Sequence, residues 1–285
     1  METLPKFEFQ RARDFGQTLG DSFDFIIKNF KTLGKTILYL GGPVVLFWAI
    51  VNGIVDGLSP FGMQQQLHPE YFLLYGLFIM FFLLLMTTLL ILIPYEYIVL
   101  SLERKENSVD VADVWRAVRK DFWMILATLL GVGFLVMLSA IAFVIPAIYF
   151  GVVFSLVPII RIRERIGFGE SLSRSMFLIK KHWWFTLGLI IIGGLITYAL
   201  GFLLQIPHYI AIFTTSLHAV HSGSMPETSY VLMFTSTLAN LGQIFYPISV
   251  IIITMHYFSL VEKKEAAGLF QKIKEVGNVD AAQNI

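Results

Sequence analysis

Long apolar segments alternate with short polar segments along most of this chain of 285 residues. A helix needs about 20 predominantly apolar residues to cross the ~30 Å hydrocarbon core of a bilayer. The apolar segments predict six membrane-spanning helices, at about 36–58, 71–101, 122–143, 146–161, 184–206 and 229–259. We therefore expect an all-α polytopic membrane bundle of three helical hairpins over residues 1–259, followed by a C-terminal helix and tail over 260–285.

The distribution of basic residues predicts how these spans are oriented. All 21 Lys and Arg residues fall within four blocks, at 6–35, 104–120, 161–181 and 263–274, and the apolar stretches between the blocks contain none. Membrane proteins concentrate Lys and Arg on the cytoplasmic side of their spans, whereas soluble proteins spread these residues over the whole surface. Both termini and the two middle blocks are therefore predicted to face the cytoplasm, and the loops at 59–70 and 207–228 to face outward.

Composition supports a membrane protein and excludes several other classes. The chain is 56% hydrophobic and only 14% charged, far below the quarter that is usual for soluble domains. Its net charge of +1 gives no global basic field for nucleic acid, and the absence of cysteine excludes disulfides and thiolate chemistry. The first 35 residues are polar and of mixed charge, which is not the pattern of a cleavable signal peptide.

A repeated amphipathic segment precedes the odd-numbered spans. The sequence FGQTLGDSFDFIIKNF (15–30) aligns without gaps with FGESLSRSMFLIKKHW (168–183), and VDVADVWRAVRKDFW (109–123) is a looser copy. Apolar residues recur in each at three- and four-residue intervals, as in a helix lying in the membrane interface. The predicted unit is a cytoplasmic interfacial helix followed by a hairpin, present three times. The alternative is that any helix leading into a span has this pattern.

The segment 145–192 resembles the membrane domain attached to some bacterial glycerophosphodiester phosphodiesterases, a superfamily that also contains stand-alone membrane proteins. The resemblance covers most of the chain and rests on a Pro that opens a short span, an amphipathic Ser-Leu-x-x-Ser segment, basic residues and a Trp pair. These positions are Pro146, Ser171, Leu172, Ser175, Lys180, Lys181, Trp183 and Trp184. The resemblance implies a location in the bacterial cytoplasmic membrane. The phosphodiesterase catalytic domain is absent, so that activity is not implied.

Some stand-alone relatives are described as carotenoid oxygenases, which would require iron held by several converging His ligands. Four of the six His are predicted outside, one inside and one within the last span, so a common iron site is disfavoured. The pair His218 and His221 could hold zinc on the outer surface, together with His208, His68 or Glu227. This spacing is common by chance, and we predict no metal and no cofactor.

Glu96 is a carboxylic acid within the second predicted span, close to its polar end. An intramembrane acid suggests a proton or cation relay, although Glu96 could also extend to the polar interface or pair with a basic residue of an interfacial helix. Four spans contain a proline (Pro43, Pro94, Pro158 and Pro247), and two contain a Gly–Gly pair. Broken helices of this kind occur in transporter sites, but they are also ordinary in helix packing.

These patterns favour a non-enzymatic scaffold or subunit of a membrane complex, with a transporter or channel for a small or lipid-like solute as the alternative. The expected contacts are membrane lipids, and a membrane-protein partner or a second copy of the chain. The expected contact residues are Lys28, Lys31, Lys180, Lys181, Trp183 and Trp184. An apolar stripe is expected at headgroup depth or against neighbouring spans, comprising Phe15, Leu19, Phe23, Ile26, Phe30, Leu172, Ile179 and Trp183.

Overall fold

A computed structural model describes residues 8–58, 69–103, 109–223 and 228–266, and all regular structure in these ranges is helical. The α-helices are α1 (Phe15–Lys28), α2 (Phe30–Leu40), α3 (Gly42–Leu58), α4 (Pro69–Glu103), α5 (Val111–Ala142), α6 (Val144–Val153), α7 (Val157–Glu164), α8 (Phe168–Ile179), α9 (Trp183–Ser222), α10 (Tyr230–Asn240) and α11 (Pro247–Glu265). A short 3₁₀ helix, Leu241–Phe245, joins α10 to α11.

The helices are long and apolar enough for a multi-pass membrane protein, as the sequence predicts. Five helical stretches satisfy the length and composition of a membrane span, and a bent pair of helices raises the number to six. The five stretches are Leu73–Glu103, Val111–Ile141, Val144–Glu164, Trp183–Ser222 and Tyr230–Glu265. The all-helical class and the positions of most spans therefore agree with the hydrophobic pattern.

The first predicted span is bent rather than straight. Helices α2 and α3 meet at an angle of 52° around Gly41. Pro43 has no N–H group to donate within the helix, and a proline ring also displaces the preceding turn, which is the usual cause of a sharp bend. A side chain at Gly41 would begin 3.0 Å from the Ile37 carbonyl oxygen and 3.1 Å from a methyl group of Leu90. The bend therefore brings the backbone close against α4.

The fifth span extends well beyond its predicted end. Helix α9 continues through Pro207 to Ser222, so most of the outer loop predicted at 207–228 is helical. The predicted loop was therefore wrong, and Pro207 does not end the helix, because neighbouring groups in membrane proteins can satisfy the carbonyl that a proline leaves free. The helix ends at Gly223, whose positive φ of 67° is the left-handed conformation that glycine adopts most easily.

The fourth and sixth spans are interrupted. The fourth span consists of α6 and α7, joined by turns at residues 154–156, and the sixth consists of α10, the 3₁₀ helix and α11. Pro158 and Pro247 lie in the first turn of α7 and α11 respectively. A missing N–H group costs little at this position, because the N–H groups of a first turn have no carbonyl acceptor within the helix. These prolines therefore begin new helices instead of kinking continuous ones.

Two of the three repeated segments form separate helices, α1 and α8. Asn29 ends α1, and residues 180–182 separate α8 from α9, with Lys181 at a φ of 74°. The middle copy instead forms the first turns of α5, which continues without a break to Ala142. Residues 118–123 contain no Gly, Pro or Asn that would favour a break. The expectation of a separate interfacial helix before the third span was therefore wrong.

The core is concentrated at one end of the bundle. Residues 88–99 of α4, 156–160 at the start of α7, and 250–260 of α11 are continuously buried. These three segments form the centre, and α1, α5, α8 and α9 pack around them. We call this end the basic face, because it carries α1, α8 and the lysines at the end of α11. Away from it, α5 and α9 expose large apolar side chains, as expected of surfaces that contact lipid.

Candidate functional site

A layer of charged and polar side chains lies inside the bundle near the basic face. We call Glu96, Asp121, Thr128 and Arg161 the buried polar layer; they come from α4, α5 and α7, and the half-exposed Arg165 at the C-terminal cap of α7 adjoins them. Asp121 accepts a hydrogen bond of 2.6 Å from Arg165. Thr128 accepts one of 2.7 Å from Arg161 and donates its own hydroxyl hydrogen to a backbone carbonyl one turn earlier. The layer therefore joins α5 to the broken fourth span.

Glu96 is almost completely buried, with 1% of its surface exposed. Its carboxyl group lies near Asp121, Arg165 and Glu103, whose charges act on it. One of its carboxyl oxygens, Oε1, has no hydrogen-bond partner. The side chain is therefore directed into the protein rather than extended to the interface. The nearby cation, Arg165, belongs to the end of α7 rather than to an interfacial helix.

This geometry gives different expectations for the two neighbouring acids. Glu96→Gln should leave the free energy of unfolding within about 1 kcal/mol of the original value or raise it, because an amide can donate to Asp121. Asp121→Asn should lower it by about 1–2 kcal/mol, because the half-exposed Arg165 loses its charged partner. Unfolding of both purified variants in detergent tests the pair. A larger loss for Glu96→Gln than for Asp121→Asn would contradict this description.

A second group of charges ties three helices together at the basic face. Arg174 of α8 pairs with Glu164 of α7 at 2.9 Å and with Glu265 of α11. Glu164 also accepts a hydrogen bond of 2.9 Å from the Tyr257 hydroxyl. Hydrogen bonding to Glu265, partly opposed by burial, holds the pKa of Arg174 above its usual range. Arg174 is therefore a permanently charged link between α7, α8 and α11.

The segment before α1 is attached to α11 through Arg13. The Arg13 guanidinium pairs with Asp21 at 2.7 Å and donates to the carbonyl oxygens of Glu8 and Phe9. Its backbone N–H donates to the Ser259 hydroxyl at 2.9 Å, and Lys263 donates to its carbonyl oxygen at 2.6 Å. The burial of Arg13 was not predictable from the sequence, because basic residues in such a block are expected at the surface.

The histidines are distributed over the bundle. His256 is fully buried, hydrogen-bonded to Thr186 at 2.8 Å and stacked on Phe185. His208 lies 3.2 Å from the Thr235 hydroxyl. Within the described parts of the chain, no three His, Asp or Glu side chains come together as a metal site.

The weak zinc candidates, His218 and His221, both lie exposed near the end of α9. The Nδ1 atom of His221 lies 2.9 Å from the Leu217 carbonyl oxygen. His68 and Glu227, which were considered as additional ligands, lie outside the described residues.

The predicted contact residues surround the basic face. The side chains of Lys28, Lys31, Lys180 and Lys181 are exposed, and we call these residues the lysine collar. Trp184 is 79% exposed. Trp183 is half-buried instead, stacked on Tyr149 at 5.9 Å and donating to the Tyr149 carbonyl oxygen. The two tryptophans therefore differ, with Trp183 held by the protein and Trp184 available to the surroundings.

Helices α1 and α8 bury small hydroxyl residues rather than a continuous aromatic stripe. In α1, Thr18, Ser22 and Phe25 are buried, and the aligned positions of α8, Ser171, Ser175 and Leu178, are buried as well. Of the expected stripe, Phe15, Leu19, Ile26, Leu172, Ile179 and Trp183 contribute to the core or pack against it. Phe30 is 69% exposed.

The first aromatic residue of α1 and of α8 makes the same kind of contact. The Phe15 ring lies against Gly188 of α9, and the Phe168 ring lies against Gly131 of α5. A side chain on either glycine would begin 3.1 Å or less from the ring, so the ring would have to shift to admit it. The sequence alignment of the repeats contained the two phenylalanines but gave no sign of their glycine partners.

Comparisons of this chain with protein-family models, curated proteins and solved structures gave no match.

Proposed function

We propose that this chain is a non-enzymatic scaffold or subunit of a complex in the bacterial cytoplasmic membrane, with its basic face in the cytoplasm. In this proposal α1 and α8 lie at the membrane interface, and the lysine collar binds the headgroups of anionic lipids. The same proposal places the chain with the stand-alone relatives of the phosphodiesterase membrane domain that segment 145–192 resembles.

The observation that carries the proposal is the exposure of the lysine collar beside other cations that are engaged within the protein. Lys28, Lys31, Lys180 and Lys181 extend from the surface, whereas Arg13 and Arg174 are held in intramolecular ion pairs. Exposed aromatic side chains, including Phe30 and Trp184, lie within a few residues of these lysines in the sequence. Lys together with Trp is typical of helix ends at a membrane surface.

The electrostatic attraction between four lysines and an anionic leaflet is large enough for lipid selection. Each basic residue near an anionic leaflet contributes about 1 kcal/mol of attraction, so that four lysines would favour anionic over neutral headgroups strongly. Transport is less well supported, because the residues around Glu96 are packed in the core and its nearest charged groups are fixed side chains of the same bundle. We therefore infer a role in binding rather than in moving a solute.

Replacing all four collar lysines by glutamine tests this role. We expect the variant to retain severalfold less phosphatidylglycerol after purification in mild detergent, as measured by mass spectrometry of the extracted lipid. The matched control replaces the same lysines by arginine, which keeps the charges and should keep the lipid.

Unchanged lipid together with loss of a co-purifying protein would reject the lipid contact and support a partner at the collar. Unchanged lipid and unchanged co-purification would reject the proposal.

A further inference from the structure

An apolar cleft lies directly beside the buried polar layer. It encloses about 350 Å³ between α4, α5, α6, α7, α9 and α11, within the range of small-molecule sites in proteins. Its lining includes Ile91, Leu129, Val132, Pro158, Ile190 and Val250. Gly151 of α6 and exposed Gly194 of α9 also line it, and neither carries a side chain that would fill the space beside it.

The polar layer adjoins this cleft on the side of the basic face. Tyr95, Leu129 and Pro158 line the cleft, while Glu96, Thr128 and Arg161 follow them on the same helices toward the basic face. Arg161 is three residues beyond Pro158, a spacing that places two side chains on one face of a helix. The Nε atom of Arg161 is buried and has no hydrogen-bond partner, although its Nη1 bonds to Thr128. A guanidinium with an unused buried donor thus lies about one helical turn from Pro158 in the wall of an apolar cleft.

We infer that this cleft binds an acyl chain whose acidic headgroup, a carboxylate or a phosphate, is held by Arg161. The apolar walls accept the hydrocarbon, since burial of each methylene group is favourable. The positive charge and free Nε–H of Arg161 match an anionic oxygen, for which charge-assisted hydrogen bonds are the strongest. This site is separate from the lysine collar and does not depend on it. A free fatty acid and an anionic phospholipid share this chemistry, and the experiment below distinguishes them.

Gly151 and Gly194, which line the cleft, leave room for it to be filled without disturbing the fold. A side chain added at Gly151 would meet nothing within 4 Å at its Cβ, and the same is true of Gly133, which lies exposed on α5 and does not line the cleft. Gly151→Leu should therefore occupy the cleft, whereas Gly133→Leu is a matched control with the same change in side chain and helix propensity.

The test uses two photoactivatable probes in detergent-solubilised full-length protein, a stearate and a phosphatidylglycerol, each with a diazirine near the methyl end of its acyl chain. We expect adducts at residues that line the cleft, such as Val132 and Tyr246, mapped by mass spectrometry. Labelling at these residues should fall about tenfold in Gly151→Leu and remain unchanged in Gly133→Leu. Labelling by the stearate alone identifies a free fatty acid as the ligand, and labelling by the phosphatidylglycerol alone identifies a phospholipid chain.

The headgroup contact is tested separately. Arg161→Gln should weaken binding of the effective probe by about tenfold or more, and Arg161→Lys should restore part of it. Equal labelling in the two leucine variants, or adducts spread evenly over the lipid-facing helices, would overturn the inference. The variant with four glutamines in the collar should label its cleft normally, so failure of the proposed function and failure of this site give different results.

Discussion

Arg13→Gln is expected to lower the free energy of unfolding by about 3–5 kcal/mol, the usual loss when one partner of a buried ion pair is removed. The Arg13 side chain has no exposed surface and neutralises Asp21, while its nitrogens satisfy the carbonyl oxygens of Glu8 and Phe9. The shorter neutral amide would leave the Asp21 carboxylate, which is only a quarter exposed, without its positive partner, and would lose the charged contacts to the two carbonyl oxygens. Reversible unfolding in mixed detergent, followed by tryptophan fluorescence, measures the loss.

Arg11 provides the matched control, because it lies two residues away in the same segment and is exposed. Arg11→Gln should change the unfolding free energy by less than about 0.5 kcal/mol, as is usual at surface positions. Equal effects of the two substitutions would mean that the buried contacts of Arg13 contribute nothing specific to stability.

Gly53→Ala is expected to separate α3 from α10 and to destabilise the protein by at least about 1–3 kcal/mol, the usual cost of overpacking. The added methyl carbon would lie 1.9 Å from the Thr237 hydroxyl oxygen and 2.5 Å from the Met233 carbonyl oxygen. A backbone carbonyl cannot rotate away as the end of a long side chain can, so the helices must move apart. Gly57, one turn later, meets Met233 in the same way.

The control for this substitution is Gly76→Ala in α4, where a new Cβ would meet nothing within 4 Å. Alanine has the higher helix propensity, so this variant should be as stable as the original or more stable. A melting temperature for Gly53→Ala equal to that of Gly76→Ala would show that the close approach of α3 and α10 is absent in the membrane protein.

The positions of the spans could be predicted because length and hydrophobicity alone determine whether a helix fits a bilayer. Their breaks could not, because proline has opposite consequences in different places. Pro207 lies within a continuous helix, Pro247 begins one, and Pro43 accompanies a bend. The outcome depends on which neighbouring groups satisfy the free carbonyl, and that is a property of the packed bundle.

The candidate site was predictable only in part for a similar reason. Glu96 was conspicuous as an acid in an apolar segment, but Asp121 and Arg161 lie at the edges of charged blocks and looked like surface residues. Gly53 and Gly57 are four residues apart, a spacing typical of close contact between two helices, yet the sequence does not identify the opposing helix. Burial of a charge depends on tertiary partners, so it became evident only when α4, α5 and α7 were seen together.

The hydrogen bonds between Arg13 and α11 have a consequence for biogenesis. The residues that they join are separated by 246 positions in the chain, so α1 cannot occupy its final position until the ribosome has synthesised α11. During this interval α1 lacks its packing partner α11, and the emerging polypeptide presents the uncovered part of α1 to insertion factors and proteases. Docking of α1 is thus a late step of assembly, and a ribosome stalled before α11 would leave an intermediate that cellular quality control can recognise.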